Sequence, residues 1–231
     1  MQYFALLISS ESDRTPEDGQ AAMAAFQRFH AAAGPAIRAG DALGPAAAAA
    51  LVTGGPKAPV VTDGPFAESA EVACGYYVLE AENLDEALAL ARDIPVAAFG
   101  AVEVWPIFGS FEPARRDGTH WLALLLEPTS NTQAPGTPEW NAVAAQHGEF
   151  ATAAGDRIIG GAALHQPSTA TTVRVRDGEV LITDGPYAEG AEVANGFYVL
   201  DAGDREEAVK YASMIPASTV EVRQLAGLSG L

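Results

Sequence analysis

Residues Thr62–Ala81 read TDGPFAESAEVACGYYVLEA, and residues Thr183–Ala202 read TDGPYAEGAEVANGFYVLDA. Fifteen of the twenty positions are identical at a constant offset of 121, and Phe66/Tyr187, Tyr76/Phe197 and Glu80/Asp201 are conservative exchanges. Self-similarity of this kind marks a duplicated structural unit. The same offset runs on through NLDEALALARDIP, from Asn83, and DREEAVKYASMIP, from Asp204. It slips by three at Val102-Glu103-Val104 and Val220-Glu221-Val222, and Tyr3–Leu7 answers Trp121–Leu125 at an offset of 118. The expected organisation is two repeats, 1–112 and 119–231, joined by a Pro-, Gly- and charge-bearing linker between them.

Each repeat opens on an apolar strand, Tyr3–Ile8 or Trp121–Leu126. A helix follows, announced by Pro16-Glu17-Asp18 or Pro138-Glu139, since proline fits the first helical position and acids favour the positive helix end. It stops near Gly34-Pro35 or Gly40 in one copy and near Gly155 in the other. Thr171–Arg176 and Glu179–Thr183 alternate about Asp177-Gly178, a hairpin signature; Leu51–Thr53 and Val60–Thr62 form a weaker counterpart. The strands Val72–Glu80 and Val193–Asp201 are apolar on both faces and so are central and covered on each side. A second helix ending before Pro95 or Pro216 and a last strand complete the unit. The predicted class is α+β: two ferredoxin-like repeats, each with an added hairpin, whose antiparallel sheets bury their bare faces together in a pseudo-dimeric α/β barrel.

The 231 residues carry 13 basic and 30 acidic side chains, a net charge of −17 that repels a phosphate backbone and argues against nucleic acid as a partner. The cations are scattered apart from Arg115-Arg116. Cys74 is the one thiol, so neither an intramolecular disulfide nor a cysteine-based zinc cluster can form. No apolar run reaches the roughly 18 residues of a membrane span, and no basic leader precedes the first strand; the expectation is a cytoplasmic protein without a membrane partner.

The repeated Asp-Gly-Pro-(Phe/Tyr)-Ala-Glu resembles the signature of the YCII-related, or DGPF-domain, proteins, and Gly160–His165, Pro167–Arg174 and the closing Val-Glu-Val resemble that family too. The resemblance covers nearly the whole chain, twice. It departs from the pattern at Ala70 and Ala191, where the family commonly has Lys, and at the run Gly44–Ala50. What it implies is a dimeric α/β-barrel fold with a small cavity beside the sheet, a frequent genomic link to sigma factors, and distant relatives that act on lactones. The smaller relatives pair a helix His with an Asp before the late Pro; here His30 or His147 matches the first, while Ile94 and Ile215 stand at the second, so that pair is broken.

The site expectations centre on the motif. Asp63 and Asp184 end a strand before Gly-Pro, where the side chain can fix the turn; turn scaffolding is the stronger reading and a pocket role the second. Glu68, Glu71, Glu189 and Glu192 add carboxylates able to divide acid from base work, and Phe66 and Tyr187 add a ring for substrate. Arg174 and Arg176 share a strand face, where a guanidinium suits a carboxylate ligand. His120, His147 and His165 have no partner at metal-ligand spacing, and no metal or cofactor is expected. Cys74, in register with Asn195, reads as a buried filler. The leading hypothesis is binding of a small acidic or lactone-like metabolite in the barrel cavity, with proton transfer or elimination by Asp184 (and Asp63) as base, His147 or His165 as acid, and Arg174 as anchor. The alternative is a non-catalytic module that presents a surface to a protein such as a sigma factor. Monomer and homodimer both stay open.

Overall fold

The computed structural model describes residues 1–11, 16–64, 71–114, 117–186 and 192–227, with nothing said of the side chains of 16–18. The motif residues Phe66, Glu68, Ala70, Tyr187, Glu189 and Ala191, and the pair Arg115-Arg116, lie outside the described residues.

The first repeat runs β1 (Gln2–Ser9), α1 (Pro16–Ala33), β2 (Ile37–Ala42), β3 (Ala50–Thr53), β4 (Val60–Asp63), β5 (Val72–Glu80), α2 (Leu84–Asp93) and β6 (Ala101–Phe108). The second repeats that order as β7 (His120–Pro128), α3 (Pro138–Ala154), β8 (Ile158–Leu164), β9 (Thr171–Arg176), β10 (Glu179–Asp184), β11 (Glu192–Asp201), α4 (Arg205–Ala212) and β12 (Thr219–Gln224). Local chemistry sets the ends. Pro138 opens α3 and Thr137 Oγ1 accepts the Trp140 amide at 3.2 Å; Asn83 and Asp204 cap α2 and α4 through their side-chain oxygens. Asp177 and Gly178, with φ of 51° and 83°, make the tight turn of the β9–β10 hairpin.

Each repeat forms an antiparallel four-stranded sheet, β2-β5-β1-β6 and β8-β11-β7-β12, the ferredoxin-like order. The two close into a barrel. One seam is β6 on β8, with Ile107 opposite Leu164 and Phe108 opposite Ala163. The other is a single bridge, Leu43 to Leu225, supported by Gly44 N donating to Gln224 O at 2.8 Å and Ala226 N donating to Ala42 O at 2.9 Å. Strand alternation divides the side chains: Phe4, Tyr76, Val78 and Phe197 point into the barrel, whereas Tyr3, Tyr77, Leu79 and Leu200 face the helices outside.

Among the described residues the barrel interior is packed with side chains, and the pocket described below lies beside the sheet, as the resemblance implies, and not inside the barrel, where the leading hypothesis puts it. Phe4 and Phe197, one from each repeat, stack at 4.4 Å, and Phe111 packs on Phe197 at 5.3 Å. Trp105, Leu122 and Ile159 fill the space around them. Aromatic rings of this size, once desolvated between two sheets, tie the repeats together more strongly than any seam hydrogen bond.

The added hairpins do not extend their own repeat's sheet. The β3–β4 hairpin pairs with β12, and the β9–β10 hairpin pairs with β6. Each repeat thus lends an arm to the other. The cross-pairs Val52↔Val220 and Val173↔Val102 put the two arms in one register, offset by 121.

Candidate functional site

A pocket of about 870 Å³ opens in the second repeat, outside the barrel, between α3 and the outer face of its sheet. Its floor is made of small residues, Gly161, Ala162, Ala163 and Gly196. Two of these have no room for a side chain: a Cβ on Gly161 would lie 2.5 Å from the Tyr198 ring, and one on Gly196 would lie 3.0 Å from the Ala162 carbonyl. Gly161 sits opposite Tyr198 in the ladder, so its missing side chain lets the tyrosine ring lie across the strand and reach the helix.

There the Tyr198 hydroxyl lies 3.0 Å from His147 Nδ1. Phe150, one turn further along α3, packs edge-on against the same ring at 5.1 Å. Burial pulls the His147 imidazole down to about 4 and pushes the Tyr198 phenol up to about 12. Both groups are therefore uncharged near neutral pH. With the phenol as donor to Nδ1, the imidazole keeps its hydrogen on Nε2 and has a second polar atom to offer.

Two carboxylates stand in the pocket wall, Glu127 and Glu139, and the described lining includes no Lys or Arg. Glu127 is already engaged: it accepts the Ser218 amide at 2.8 Å and the Ser218 hydroxyl at 2.5 Å. Trp140, at the mouth, meets Phe108 at 4.9 Å in an edge-on contact. The roof comes from the other repeat, as the β3–β4 arm tip Gly54-Gly55-Pro56.

Of the candidate site residues named from the sequence, His147 lines this pocket and the other described ones do not. Asp184 is exposed at the end of β10, opposite Thr171, and so has no place as a base here. Asp63 is exposed and forms an ion pair with Arg205 on α4, tying its arm to the second repeat. Past both aspartates the hairpin ladder runs on by one bond: Gly64 N donates to Ala49 O at 3.1 Å and Gly185 N donates to Ala170 O at 2.9 Å, while the rest of each motif lies outside the described residues. His165 packs on Phe108 at 5.6 Å, and its amide donates to Pro106 O. Arg174 lies on β9 opposite Leu181, away from the pocket lining. Arg176 donates to Ala97 O at 2.9 Å and Gly100 O at 2.8 Å, a structural anchor. Glu192 accepts from the Thr219 hydroxyl at 2.8 Å. Ile94 and Ile215 are each 1% exposed, so an acid at either place would be buried among apolar groups. Among the described residues no cluster of His, Cys, Asp and Glu has the makings of a metal site.

His30 and His147 are not counterparts. Both first helices run into a short 3-10 turn, Gly34–Ala36 or Gly155–Arg157, which fixes the offset there at 121. Phe29 and Phe150 then match, both buried and both against the matching tyrosines, Tyr77 and Tyr198. His147 therefore corresponds to Phe26, and His30 corresponds to Ala151. His30 Nε2 nevertheless comes within 2.7 Å of the Tyr77 hydroxyl, reaching it from the next turn of the helix. Tyr198, Asn195, Glu127 and Ser218 were not found by sequence reasoning; the one available signal was a tyrosine kept in both repeats on an otherwise apolar strand.

Comparison with known proteins agrees with the repeat. The model of the YCII-related domain matches residues 1–110 and again 122–226. The chain belongs to the YCII-related family. An uncharacterized protein, R00369, of Rhizobium meliloti (strain 1021) is 37% identical over 102 residues, covering 42% of this chain and 76% of its own. Among solved structures, the crystal structure of a putative chlorite dismutase is similar over 97% of this YCII-related chain and 94% of its own, with a TM-score of 0.44 and 8% identity. Among the described residues no helix is long and apolar enough to cross a membrane.

Proposed function

We propose that this YCII-related protein binds a small, uncharged, lactone-like metabolite in the α3 pocket of its second repeat, through a hydrogen bond from His147 Nε2–H, whose tautomer Tyr198 fixes by donating to Nδ1. The observation that carries this reading is the pair itself, neutral at physiological pH and set in a wall with two carboxylates and no described cation. An acidic ligand, the other half of the initial expectation, would meet Glu127 and Glu139 without a compensating charge. Small apolar floor residues and the Trp140 ring suit a flat ligand. A phenol near 12 and an imidazole near 4 are a weak acid and a weak base, so recognition is favoured over proton transfer.

Coumarin and o-coumarate, the stable trans isomer of its ring-opened anion, form a test pair with the same carbon connectivity and different charge. In titration calorimetry the expected result is binding of coumarin, weakened about tenfold in Tyr198→Phe by loss of the hydrogen bond that holds His147 in its Nε2–H form, and no detectable binding of o-coumarate. Equal binding of the two, or of neither, overturns the reading. A second reading, a surface for a protein partner, is favoured by the aliphatic row Val180, Leu181 and Ile182, which are 43%, 46% and 55% exposed on an outer strand. If neither probe bound the pocket, that surface reading would stand alone, and charge substitutions at Leu181 would be its test, since loss of no protein contact would remove it.

A further inference from the structure

The two arms share one register but not one tip. Val52 and Val173 correspond across the seams, so Gly55 of the first arm corresponds to Arg176 of the second. Gly55 roofs the second repeat's pocket, and a Cβ placed on it would lie 3.8 Å from the Ala217 carbonyl, in otherwise open space. At the corresponding place in the first repeat, the Arg176 guanidinium spans the carbonyls of Ala97 and Gly100. Gly100, which directly precedes β6, is the counterpart of Ser218, a pocket-wall residue that directly precedes β12.

Behind Arg176 the first repeat is filled. Phe26 occupies the position of His147 and packs into the core formed by Phe29, Tyr77 and Leu79. A groove of about 930 Å³ does run along α1 there, but its lining includes Ala25, Phe29 and Pro95 and none of Gly40, Gly75 or Tyr77, the sheet positions that match the second repeat's floor. The same fold element thus covers an open site once and a closed one once.

We propose that the arm tip each repeat lends to the other sets access to that repeat's site: Gly55 leaves the second repeat's pocket open and Arg176 closes the first repeat's. The proposal rests on the reading of the α3 pocket as the ligand site, and names Gly55 as its access-determining residue. An arginine at position 55 would carry its guanidinium toward the carbonyls around Ala217 and Ser218, across the pocket mouth.

The test uses the full chain and a reagent that needs no knowledge of the ligand. Diethylpyrocarbonate acylates accessible neutral imidazoles, and peptide mass spectrometry reads His147 against His165 in the same sample. In Gly55→Arg the His147 rate should fall about tenfold or more, the factor that corresponds to about 1.4 kcal/mol. Gly55→Asn, which tolerates the same φ of +65° without a long side chain, should react like the wild type. If Gly55→Arg does not fold, Gly55→Cys in a Cys74→Ser background, alkylated after folding with a bulky maleimide, places the same obstruction. Unchanged His147 rates in the blocked proteins, or equal slowing in Gly55→Asn, overturn the proposal. Coumarin separates the two readings: slowed acylation in a protein that never binds coumarin removes the ligand class and keeps the access role.

Discussion

Acid should weaken the fold through one histidine. His147 is held neutral by burial, at about 4 against an ordinary 6.5. Between those values the unfolded chain takes up a proton that the folded chain refuses. Stability from this group is therefore complete above about pH 6.5 and is lost as pH falls from there through about 4. Evaluated between pH 7.5 and 5.0, where most carboxylates remain ionised, the linkage amounts to at most about 2 kcal/mol. The perturbation is His147→Gln, which cannot titrate. Urea unfolding followed by tryptophan fluorescence, for both proteins at both pH values, isolates the term by subtraction: the wild type should lose about 2 kcal/mol more than the variant. Carboxylates elsewhere cancel in that difference. An equal loss in the two proteins, or an imidazole proton resonance for His147 that titrates near 6.5, refutes the argument that the pocket desolvates this ring.

The motif aspartates should behave as turn and surface groups. Asp184→Asn is expected to leave stability within about 0.5 kcal/mol of wild type, and Asp63→Asn to cost less than about 1 kcal/mol through its exposed pair with Arg205. Neither change should alter coumarin binding, and a lost calorimetric signal in either would return the motif to the site. In the barrel, Phe197→Ala removes a ring that is 1% exposed and touches Phe4, Tyr76 and Phe111, so a loss of about 3–5 kcal/mol in denaturant unfolding is expected; a loss below about 1 kcal/mol would show that the two sheets do not depend on their shared core.

The barrel was legible in the sequence because its cause is periodic. Tyr76 and Tyr77, or Phe197 and Tyr198, sit side by side on a strand whose two faces are both apolar, and such a strand needs cover on both sides. Arm exchange was not legible: the alternation in Thr171–Arg176 suits any exposed sheet edge, and only the closed barrel decides that the free edge of β6 is the one within reach. The pairing of His30 with His147 failed for a related reason. The offset is 118 at the first strand and 121 at the helix ends, and within the diverged helices no residue shows where the three positions enter. Tertiary contacts of Phe29 and Phe150 place them. The pocket was missed because a site made by what is absent, the side chains of Gly161, Gly196 and Gly55, leaves no chemical motif to read.

Covalent fusion explains how one site can be open and the other closed. In a symmetric pair of identical chains, a residue at an arm tip faces both sites alike, and a change that closes one closes the other. With the repeats joined, the tips are separate positions, and selection on each is free of the other. Arg176 then contributes packing and charge-assisted hydrogen bonds to a repeat that no longer needs an opening, while Gly54 and Gly55, at φ of 83° and 65°, hold a roof that a larger residue would lower. The stabilising half and the accessible half support one another through the same two arms. A substitution that shortens or unpairs the β3–β4 arm should therefore act on the second repeat's pocket even though every changed residue belongs to the first.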